Sequence, residues 1–453
     1  MKDINNIKDL KEKIDMKDIK NMKDLKDIKE IKDRKGRKDK NGIKGLKEPK
    51  PLKELKPMKE SKPMKEPKPL KESRPMKELN SMKELKSRER LKSRKELKSR
   101  KDLKCIKDLN YKKDLKYIKE LKHKKELKEN LCVTYNADNN YAKYLGISML
   151  SLFETNKDFK EIDVYIMDCG ISDTNKEKLL GIGDEYGRKI FFVSMKDFIS
   201  GLKLNMGPKK IAIAAYARLF ISSVIPDKYD KVLYLDCDTI ILDNQSSLWK
   251  TDLKDFFAAG VRDTVERYAV TRIGLTKRDL YVNAGVLLVN LSAWRKHNIQ
   301  KAFLDFIEKF GGNVPFHDQG IINGVCGKRI FALSPRYNVT SNMFTFTSDS
   351  IRKIYYMDSY YSEKKLTEAR KNPAILHFTT GLVGRPWEEN CTHPKKDEFI
   401  KAAEKSPWKD DPLLPDSRRF TLKAFTFLYR HAPLFISENI YRIGNRFKEF
   451  VYD

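Results

Sequence analysis

Two aspartates separated by a single residue, Asp236 and Asp238, follow the apolar run Val232–Leu235. Such a run predicts a strand buried on both faces of a sheet. Ligands of open α/β sheets bind beyond the carboxyl ends of the strands, so the pair is expected at the mouth of a cleft. On an extended chain, residues two apart point the same way, and both carboxylates could then bind one ion. Because Mg²⁺ and Mn²⁺ prefer carboxylate oxygens and bridge readily to phosphates, the pair predicts a divalent cation site.

The sequence around these aspartates alternates short apolar runs with amphipathic stretches. The runs predict strands and the stretches predict helices. In chain order, the predicted elements are strand Leu131–Tyr135, helix Tyr141–Phe153, strand Ile162–Met167, helix Asp173–Tyr186, strand Lys189–Val193, helix Ile211–Ser222 and strand Val232–Leu235. Alternation at this spacing is typical of an α/β fold with a mostly parallel, doubly wound sheet.

Other short motifs surround the acidic pair in a fixed order. They are Asn136-Ala137-Asp138-Asn139-Asn140-Tyr141, Tyr216-Ala217-Arg218-Leu219, Asn283-Ala284-Gly285-Val286, His317-Asp318-Gln319-Gly320, and His377 with Arg385-Pro386-Trp387. An isolated Asp-x-Asp pair is common in a charged chain, but these motifs in register make it specific. In order and spacing they resemble the retaining glycosyltransferase family 8, notably its bacterial lipopolysaccharide galactosyl- and glucosyltransferases. The resemblance extends from about Leu131 to Trp408.

The resemblance implies a GT-A fold over residues 131–407, which is a Rossmann-like, mixed but mostly parallel sheet flanked by helices. It also implies transfer of a hexose from UDP-galactose or UDP-glucose to a saccharide acceptor, with retention at the anomeric carbon. The sequence does not distinguish the two donors, because that choice depends on contacts to a single hydroxyl group.

The resemblance also implies three sets of site residues. The metal ligands would be Asp236, Asp238 and His377, binding Mn²⁺, with Mg²⁺ as the alternative. The donor-binding residues would be Ala137, Asp138, Asn140, Tyr141, Arg218, Asp236, Cys237, Asp238, Asn283, Ala284, Gly381 and Arg385. The catalytic residues would be Gln319, Asp318 and Arg218.

At the nucleotide end, Asp138 would hydrogen-bond the uracil, Asn140 would lie near the ribose, and Tyr141 would stack on the base. The alternative for Tyr141 is a core aromatic residue at the start of a helix. His377 could also be a histidine satisfied at a strand end, although a neutral imidazole suits Mn²⁺ as a third ligand.

At the sugar end, Asn283 and Ala284 would contact the hexose, and Gly285 would allow the backbone to approach it closely. Asp318 would hold sugar hydroxyl groups, and Gln319 would lie below the anomeric carbon. The alternative for the last two residues is a helix N-cap pair.

Retention at a sugar carbon usually relies on a carboxylate nucleophile. Here the implied position holds Gln319, whose amide is a poor nucleophile. We therefore expect same-face attack by the acceptor hydroxyl, with the departing phosphate as proton acceptor and Gln319 acting through its carbonyl dipole. Covalent catalysis by Asp318 is the alternative.

Arg218 is implied near the donor sugar and the metal-binding acids, or else is an ordinary arginine on a helix surface.

Arg385 departs from the commoner Lys-Pro-Trp of the family, and two more residues than usual separate it from His377. The positive charge expected at the diphosphate is kept, and arginine can hold two phosphate oxygens where lysine acts as a point charge. The altered loop, Thr379–Gly384, is therefore expected to change acceptor fit or loop closure and not the class of reaction.

The positive charge of the chain is concentrated at its start, because residues 1–130 contribute +22 of the formal net charge of +30. They repeat a triplet of apolar residue, Lys and acid. From Leu79 to Leu127 a leucine recurs every six residues, which forms neither a helical stripe nor a coiled coil, and prolines from Pro49 to Pro75 interrupt any helix. The tail is predicted to be disordered or fluctuating helix. It would act as a solvated spacer or bind anionic lipid headgroups; nucleic acid is disfavoured because acids are interspersed and aromatics are few.

Residues 408–453 alternate basic and aromatic residues, as in the stretch from Arg418 to Arg430. This composition is typical of interfacial helices, so peripheral contact with an anionic membrane is expected, consistent with a lipid-linked acceptor such as a lipopolysaccharide or lipooligosaccharide core. The alternative is that Phe420, Phe425 and Tyr429 pack onto the catalytic domain.

The chain has no apolar secretory signal at its start and no stretch of the roughly 18–20 apolar residues that span a bilayer. Its six cysteines are scattered, so neither a disulfide framework nor a structural zinc site is expected. These features predict a cytoplasmic protein, peripheral on the inner face of the cytoplasmic membrane. Two alternative functions stay open: a glycogenin-like or protein-directed transferase, and a catalytically silent adaptor that binds membrane or nucleic acid through its tail.

Overall fold

The computed structural model describes residues 129–200, 216–276, 278–433 and 435–443. The predictions for the Lys-rich tail, residues 1–130, therefore lie almost wholly outside the described residues. The first part of the predicted helix Ile211–Ser222 lies outside them as well.

The strands of the described residues form a large sheet of seven strands and a small sheet of three. They are β1 (Asn130–Ala137), β2 (Glu161–Asp168), β3 (Lys189–Ser194), β4 (Lys231–Leu235), β5 (Thr239–Ile241), β6 (Ala258–Arg262), β7 (Val282–Asn290), β8 (Ile330–Ala332), β9 (Val339–Thr340) and β10 (Ile375–His377). The large sheet has the order β3-β2-β1-β4-β7-β6-β8, and the small sheet has the order β5-β10-β9. In the large sheet β7 is antiparallel to both neighbours and every other pair is parallel. The predicted mostly parallel α/β sheet is thus confirmed.

Helices pack around the large sheet. They are α1 (Ala142–Thr155), α2 (Asp173–Glu185), α3 (Met195–Ser200), α4 (Ile221–Val224), α5 (Ser246–Trp249), α6 (Arg267–Arg272), α7 (Leu291–Lys296), α8 (Ile299–Lys309), α9 (His317–Cys326), α10 (Ser341–Thr345), α11 (Ser348–Ile354), α12 (Glu363–Lys371), α13 (Lys396–Ala403) and α14 (Phe420–His431). Three 3₁₀ turns accompany them, at Ala217–Phe220, Gly327–Arg329 and Pro335–Tyr337. None of the helices in the described parts of the chain has both the length and the apolar character needed to cross a bilayer. The cytoplasmic location stays a prediction.

The predicted strands before residue 240 and the first two predicted helices are present, with bounds shifted by at most two residues. Their signals were clear because β1 and β4 are buried at the centre of the sheet, which requires continuous apolar runs. Helix α1 is buried along nearly its whole length, because β5, α2 and α13 all pack against it. Helix α2 begins after Ser172, whose hydroxyl accepts a hydrogen bond from the backbone N–H of Asn175.

The predicted helix Ile211–Ser222 is confirmed in part within the described residues, because Tyr216 and the residues from Ile221 onward are α-helical but the segment between them is not. Residues Ala217–Phe220 form a 3₁₀ turn, and only the short helix α4 follows it. Turns of this kind are frequent at helix ends. Here the turn carries Arg218, whose side chain is bound to groups on β7, α9 and the end of β4.

The reversed direction of β7 decides which residues meet at the site. The carboxyl ends of β4 and β6 and the amino end of β7 lie at one edge of the large sheet, so that Leu235 pairs with Val286. The small sheet then brings in His377, because His377 on β10 pairs with Thr239 on β5, the residue that follows Asp238. Three separate strands thus deliver side chains to the same edge.

Helix α14 packs one face onto the rest of the protein. Phe425 and Tyr429 are half-buried, and the ring of Tyr429 lies 5.3 Å from that of Phe346. The packing alternative therefore holds for these two residues. It is wrong for Phe420, which is 83% exposed because it lies on the outer face of α14.

Candidate active site

Asp236, Asp238 and His377 each bring one ligand atom within 4.8 Å of the others. His377 Nε2 lies 3.1 Å from Asp238 Oδ1 and 3.7 Å from Asp236 Oδ2. The aspartates do not converge as neighbours on an extended strand, because residues 237–238 form a turn after β4. The turn lets both acids face the histidine of the small sheet. Two carboxylates and an imidazole are a donor set suited to Mn²⁺ or Mg²⁺.

A hydrogen-bond chain behind His377 fixes its ring. The Nδ1 atom lies 3.0 Å from Asn338 Oδ1, and Asn338 Nδ2 donates to Asn283 Oδ1 over 2.9 Å. The acceptor oxygen of Asn338 keeps a proton on Nδ1, and Nε2 is the ring atom that faces the aspartates. Burial alone would lower the pKa of His377, but the Asp238 and Asp236 carboxylates raise it above its ordinary value. The same negative potential favours a bound cation.

Gly285 lies directly against two of the three side chains of this cluster. A β-carbon on this residue would lie 2.2 Å from Cε1 of His377 and 2.6 Å from Oδ2 of Asp236. Contacts this short do not occur, so a side chain at residue 285 would force His377 or Asp236 out of its present place. The donor set and this cradle together fit a divalent cation.

Arg218 connects Asp236 of the acidic cluster to Asp318 on α9. Its Nη2 atom lies 3.0 Å from Asp236 Oδ1 and its Nε lies 2.8 Å from Asp318 Oδ2. Its Nη1 donates to the backbone oxygen of Ala284 over 2.9 Å, and its guanidinium lies over the ring of Tyr234. Burial alone would lower the pKa of Arg218, but the two carboxylates raise it, so the side chain stays charged. The interpretation of Arg218 as a surface arginine is therefore wrong.

The side-chain amide of Gln319 is held at both ends. Its Oε1 accepts a hydrogen bond from the backbone N–H of Ala284 over 3.0 Å, and its Nε2 donates to Asp263 Oδ2 over 2.9 Å. An amide oxygen can accept two hydrogen bonds, so Oε1 of Gln319 has one lone pair left to face a ligand. The amide cannot rotate without breaking both bonds.

Asp318 and Gln319 do not form a helix N-cap pair. The N-cap of α9 is Phe316, which has a left-handed backbone conformation and no side-chain cap bond. The side chain of Asp318 instead binds Arg218. That alternative is therefore wrong, because both polar side chains point into the site instead of back at the helix end.

The residues predicted to hold the nucleotide lie where β1 enters α1. Oδ1 of Asp138 accepts hydrogen bonds from the backbone N–H groups of Asn140 and Tyr141 over 3.0 and 3.1 Å. The hydroxyl of Tyr141 accepts from Nη1 of Arg385 over 3.0 Å, and Nη2 of Arg385 lies 3.7 Å from Asp238 Oδ2. Tyr141 is half-buried, so the core-packing alternative describes its ring in part while its hydroxyl faces the cation of Arg385.

The remaining predicted donor-binding residues have varied surroundings. Ala137 ends β1 and is buried, and Cys237 lies between the two acids with its thiol donating to the Asn136 backbone oxygen. The polar groups of Asn283 and Ala284 are bonded within the protein, so these residues frame the site. Gly381 lies beside Ser341 and Asn342. Direct contact of these residues with a donor stays a prediction.

Sequence reasoning missed two residues that organise the site. Asp263 Oδ2 accepts hydrogen bonds from Gln319 and from Asn283, and Asn338 links His377 to Asn283. Asp263 follows β6 as Asp236 follows β4, but the sequence of β6 carries too little apolar signal for the same rule to find it. Asn338 lies before a strand of two residues, which has no detectable pattern.

A sheet of this order, with an acidic pair and a histidine at one edge, is the arrangement of GT-A glycosyltransferases. Within that class the chain belongs to glycosyl transferase family 8, because the family model matches residues 132–391, more than half of the chain.

Several known proteins are similar to this chain. General stress protein A of Bacillus subtilis is 29% identical over 275 residues, which cover 60% of this chain and 92% of that protein. The lipopolysaccharide 1,2-glucosyltransferase of Escherichia coli K12 is 26% identical over 290 residues, which cover 62% of this chain and 80% of that enzyme. Among solved structures, the galactosyltransferase LgtC with donor and acceptor sugar analogues has 28% identity and a TM-score of 0.50 over 61% of this chain and 96% of that one.

Proposed function

We propose that this glycosyltransferase moves a hexose from UDP-galactose or UDP-glucose to a saccharide acceptor, with retention at the anomeric carbon. The observation that carries the proposal is the meeting of Asp236, Asp238 and His377 within 4.8 Å, with the guanidinium of Arg385 3.7 Å from Asp238. A cation site next to an arginine matches the charge of a nucleoside diphosphate. The similarity to a glucosyltransferase and to a galactosyltransferase supports the choice of hexose.

Asp236, Asp238 and His377 would hold the cation, which we propose to be Mn²⁺, with Mg²⁺ as the alternative. When bound, such a cation neutralises negative charge on a leaving diphosphate. The residues of the chain prepare this site by themselves, because Arg218 fixes Asp236 and Asn338 fixes the ring of His377.

Arg385 would donate to oxygens of the diphosphate as the bond to the sugar breaks. Its guanidinium is already oriented by Tyr141 and by the hydroxyl of Thr380, which accepts from Nη2 over 3.0 Å. Donors that are placed before the reaction stabilise developing charge without reorganisation at the moment of bond cleavage. Tyr141 and Asp138 would hold the uracil, and Asn140 would lie near the ribose.

At the sugar, we favour same-face attack by the acceptor hydroxyl. The bond from the anomeric carbon to the phosphate breaks, the acceptor oxygen bonds to that carbon, and its proton passes to the departing phosphate. The side-chain amide of Gln319 is fixed by Ala284 at its oxygen and by Asp263 at its nitrogen, and the oxygen would present its dipole to the electron-poor carbon. A covalent role for Asp318 is less favourable, because its carboxylate is bound to Arg218 at 2.8 Å and would have to leave that cation to attack.

The acceptor in our proposal is a lipid-linked saccharide, such as a lipopolysaccharide or lipooligosaccharide core. The C-terminal region supports this, because Phe420, Phe427 and Phe435 are 83%, 57% and 67% exposed. Helix α14, which holds the first two, also carries the exposed basic residues Lys423 and Arg430. Aromatic and basic residues on one face are suited to an anionic membrane surface. A protein-directed or glycogenin-like acceptor is the alternative.

The proposal is tested by UDP release from purified full-length protein. UDP-galactose and UDP-glucose are compared with Mn²⁺, with Mg²⁺ and with a chelator, and the anomeric configuration of the product is read by proton NMR. Acceptors are presented as lipid-linked core saccharides and, separately, as proteins. Folded protein that releases UDP from neither donor with either cation would sink the proposal, and a product of inverted configuration would remove the retaining mechanism.

A further inference from the structure

The loop that carries Arg385 is bonded to the segment that precedes helix α14. We call residues 379–387 the phosphate loop. Near its middle, the backbone oxygen of Leu382 accepts a hydrogen bond from Nη1 of Arg418 over 2.6 Å. Gly384 in the same loop has a left-handed φ of 73°, and a β-carbon there would lie 3.6 Å from Cζ of Arg418. The guanidinium of Arg418 therefore lies directly against the loop.

Arg418 is itself held rigidly. Its Nε and Nη2 atoms donate to the two carboxylate oxygens of Asp416 over 2.9 and 2.8 Å, and the side chains are 7% and 9% exposed. Hydrogen bonds from Arg418 lower the pKa of Asp416 to about 2. A two-pronged pair of this kind fixes the plane of the guanidinium, so its remaining Nη1 is aimed at one place, the oxygen of Leu382.

The far end of the loop is bonded to the same segment. The backbone N–H of Leu414 donates to the oxygen of Trp387 over 2.9 Å, and the N–H of Glu389 donates to the oxygen of Leu414 over 2.8 Å. The hydroxyl of Ser417 donates to the Glu388 carboxylate over 2.6 Å. Residues 414–418 therefore contact the loop near its middle and at its end, on both sides of Arg385.

We propose that Arg418, fixed by Asp416, is a positioning residue that sets the place of Arg385 through the oxygen of Leu382. The inference rests on the proposed role of Arg385 at the donor diphosphate. The loop contains Gly381 and Gly384, so it has conformational freedom to lose when a donor binds. Contacts that hold it before binding reduce that loss and strengthen binding.

The first arm of the experiment measures hydrogen exchange of residues 379–387 in full-length protein without nucleotide. Arg418→Gln removes the donor to Leu382, and exchange in this segment is expected to become faster. Arg419→Gln is the matched control, because it makes the same charge change at the next, exposed residue. Arg418→Lys keeps the charge but not the fork, and is expected to be intermediate.

The second arm measures the affinity for UDP with Mn²⁺ by calorimetry. Arg418→Gln is expected to weaken binding about tenfold, and to add little in an Arg385→Gln background, because residues that act through one another are not additive. A residue that only stabilised the fold would leave the affinity unchanged.

Three results would overturn the inference: unchanged loop exchange in Arg418→Gln, wild-type affinity despite faster exchange, or a full additional loss in the Arg385→Gln background. If Arg418→Gln does not fold, Arg418→Lys replaces it in both arms, and the same three results would overturn the inference. Wild-type affinity in the single Arg385→Gln variant would instead remove the proposed role of Arg385, while the exchange arm would still report whether Arg418 holds the loop.

Discussion

Gly285 and His377 approach so closely that a β-carbon on the glycine would lie 2.2 Å from Cε1 of the histidine ring. The close approach depends on the reversed strand β7, which starts at the edge where β4 ends. Because residue 285 has no side chain, the imidazole of His377 has room to face the two aspartates.

Gly285→Ala is expected to displace His377 and weaken binding of Mn²⁺ at least about tenfold, by analogy with the loss seen when partners of metal ligands are changed. Binding is measured by titration with paramagnetic Mn²⁺. The control is Gly181→Ala on the surface of α2, where an added β-carbon meets nothing within 4 Å and should stabilise the protein by up to about 1 kcal/mol. Wild-type Mn²⁺ affinity in Gly285→Ala would show that the metal ligands do not depend on a glycine at this position.

Asp238→Asn is expected to abolish UDP release while the circular dichroism spectrum stays native. The change removes one negative charge and one ligand atom from the cluster, and we expect a loss of at least about a hundredfold. Asp184→Asn, at an exposed position on α2, serves as the control. Normal turnover of Asp238→Asn at saturating Mn²⁺ would show that the aspartate does not bind the catalytic cation.

Gln319→Ala is expected to slow transfer without trapping a sugar on the protein. It also leaves the Ala284 N–H without its acceptor and removes one of the hydrogen bonds to Asp263, which still accepts from Asn283. The free energy of unfolding should therefore fall by about 1–3 kcal/mol. Gln300→Ala on α8, another hydrogen-bonded glutamine, is the comparison. The intact mass of Gln319→Glu incubated with donor is measured as well, because a gain of one hexose would reopen the double-displacement route.

His393 gives the fold a dependence on pH that is separate from the site. Its ring is buried edge-on against Phe344 and Phe378, each 4.8 Å away, and burial lowers its pKa to about 4. The unfolded chain has a histidine pKa of about 6.5. The stabilising effect is therefore complete above pH 6.5 and declines as the pH falls towards 4, by up to about 1.4 kcal/mol per unit.

Urea unfolding between pH 7.5 and 4.5 measures this effect. His393→Asn removes the titrating group while its side-chain oxygen can still accept from the Lys395 N–H, which His393 Nδ1 accepts at 3.1 Å. The variant should be less stable at every pH but should show a shallower decline below pH 6.5. An identical slope in the two proteins would mean that His393 does not titrate in this range.

The sequence was sufficient to predict the parallel part of the sheet, because buried central strands need unbroken apolar runs. Direction is not encoded in such a run, so the reversal of β7 could not be read from it. The strand β6 was also missed, since Ala-Ala-Gly-Val-Arg carries little apolar signal, and Asp263 was missed with it.

The cluster of acids could be predicted from their place after β4, but its completion could not. His377 lies on a strand of three residues and Asn338 lies before one of two, and both reach the cluster only through pairing in the small sheet. Short strands are held by long-range partners, and local patterns do not reveal them. His377 was predicted as a metal ligand from the family resemblance, because the sequence pattern around it gives no such signal.

The ion pair between Asp416 and Arg418 has a practical consequence for shortened versions of the protein. A version ending at residue 407 would keep every residue implied in donor binding, and would still lack the guanidinium that underpins Leu382. In such a shortened enzyme the phosphate loop would be less ordered, and the donor would bind more weakly. A weak affinity for UDP would then reflect the loss of Arg418 and not a defect in Asp236 or Asp238.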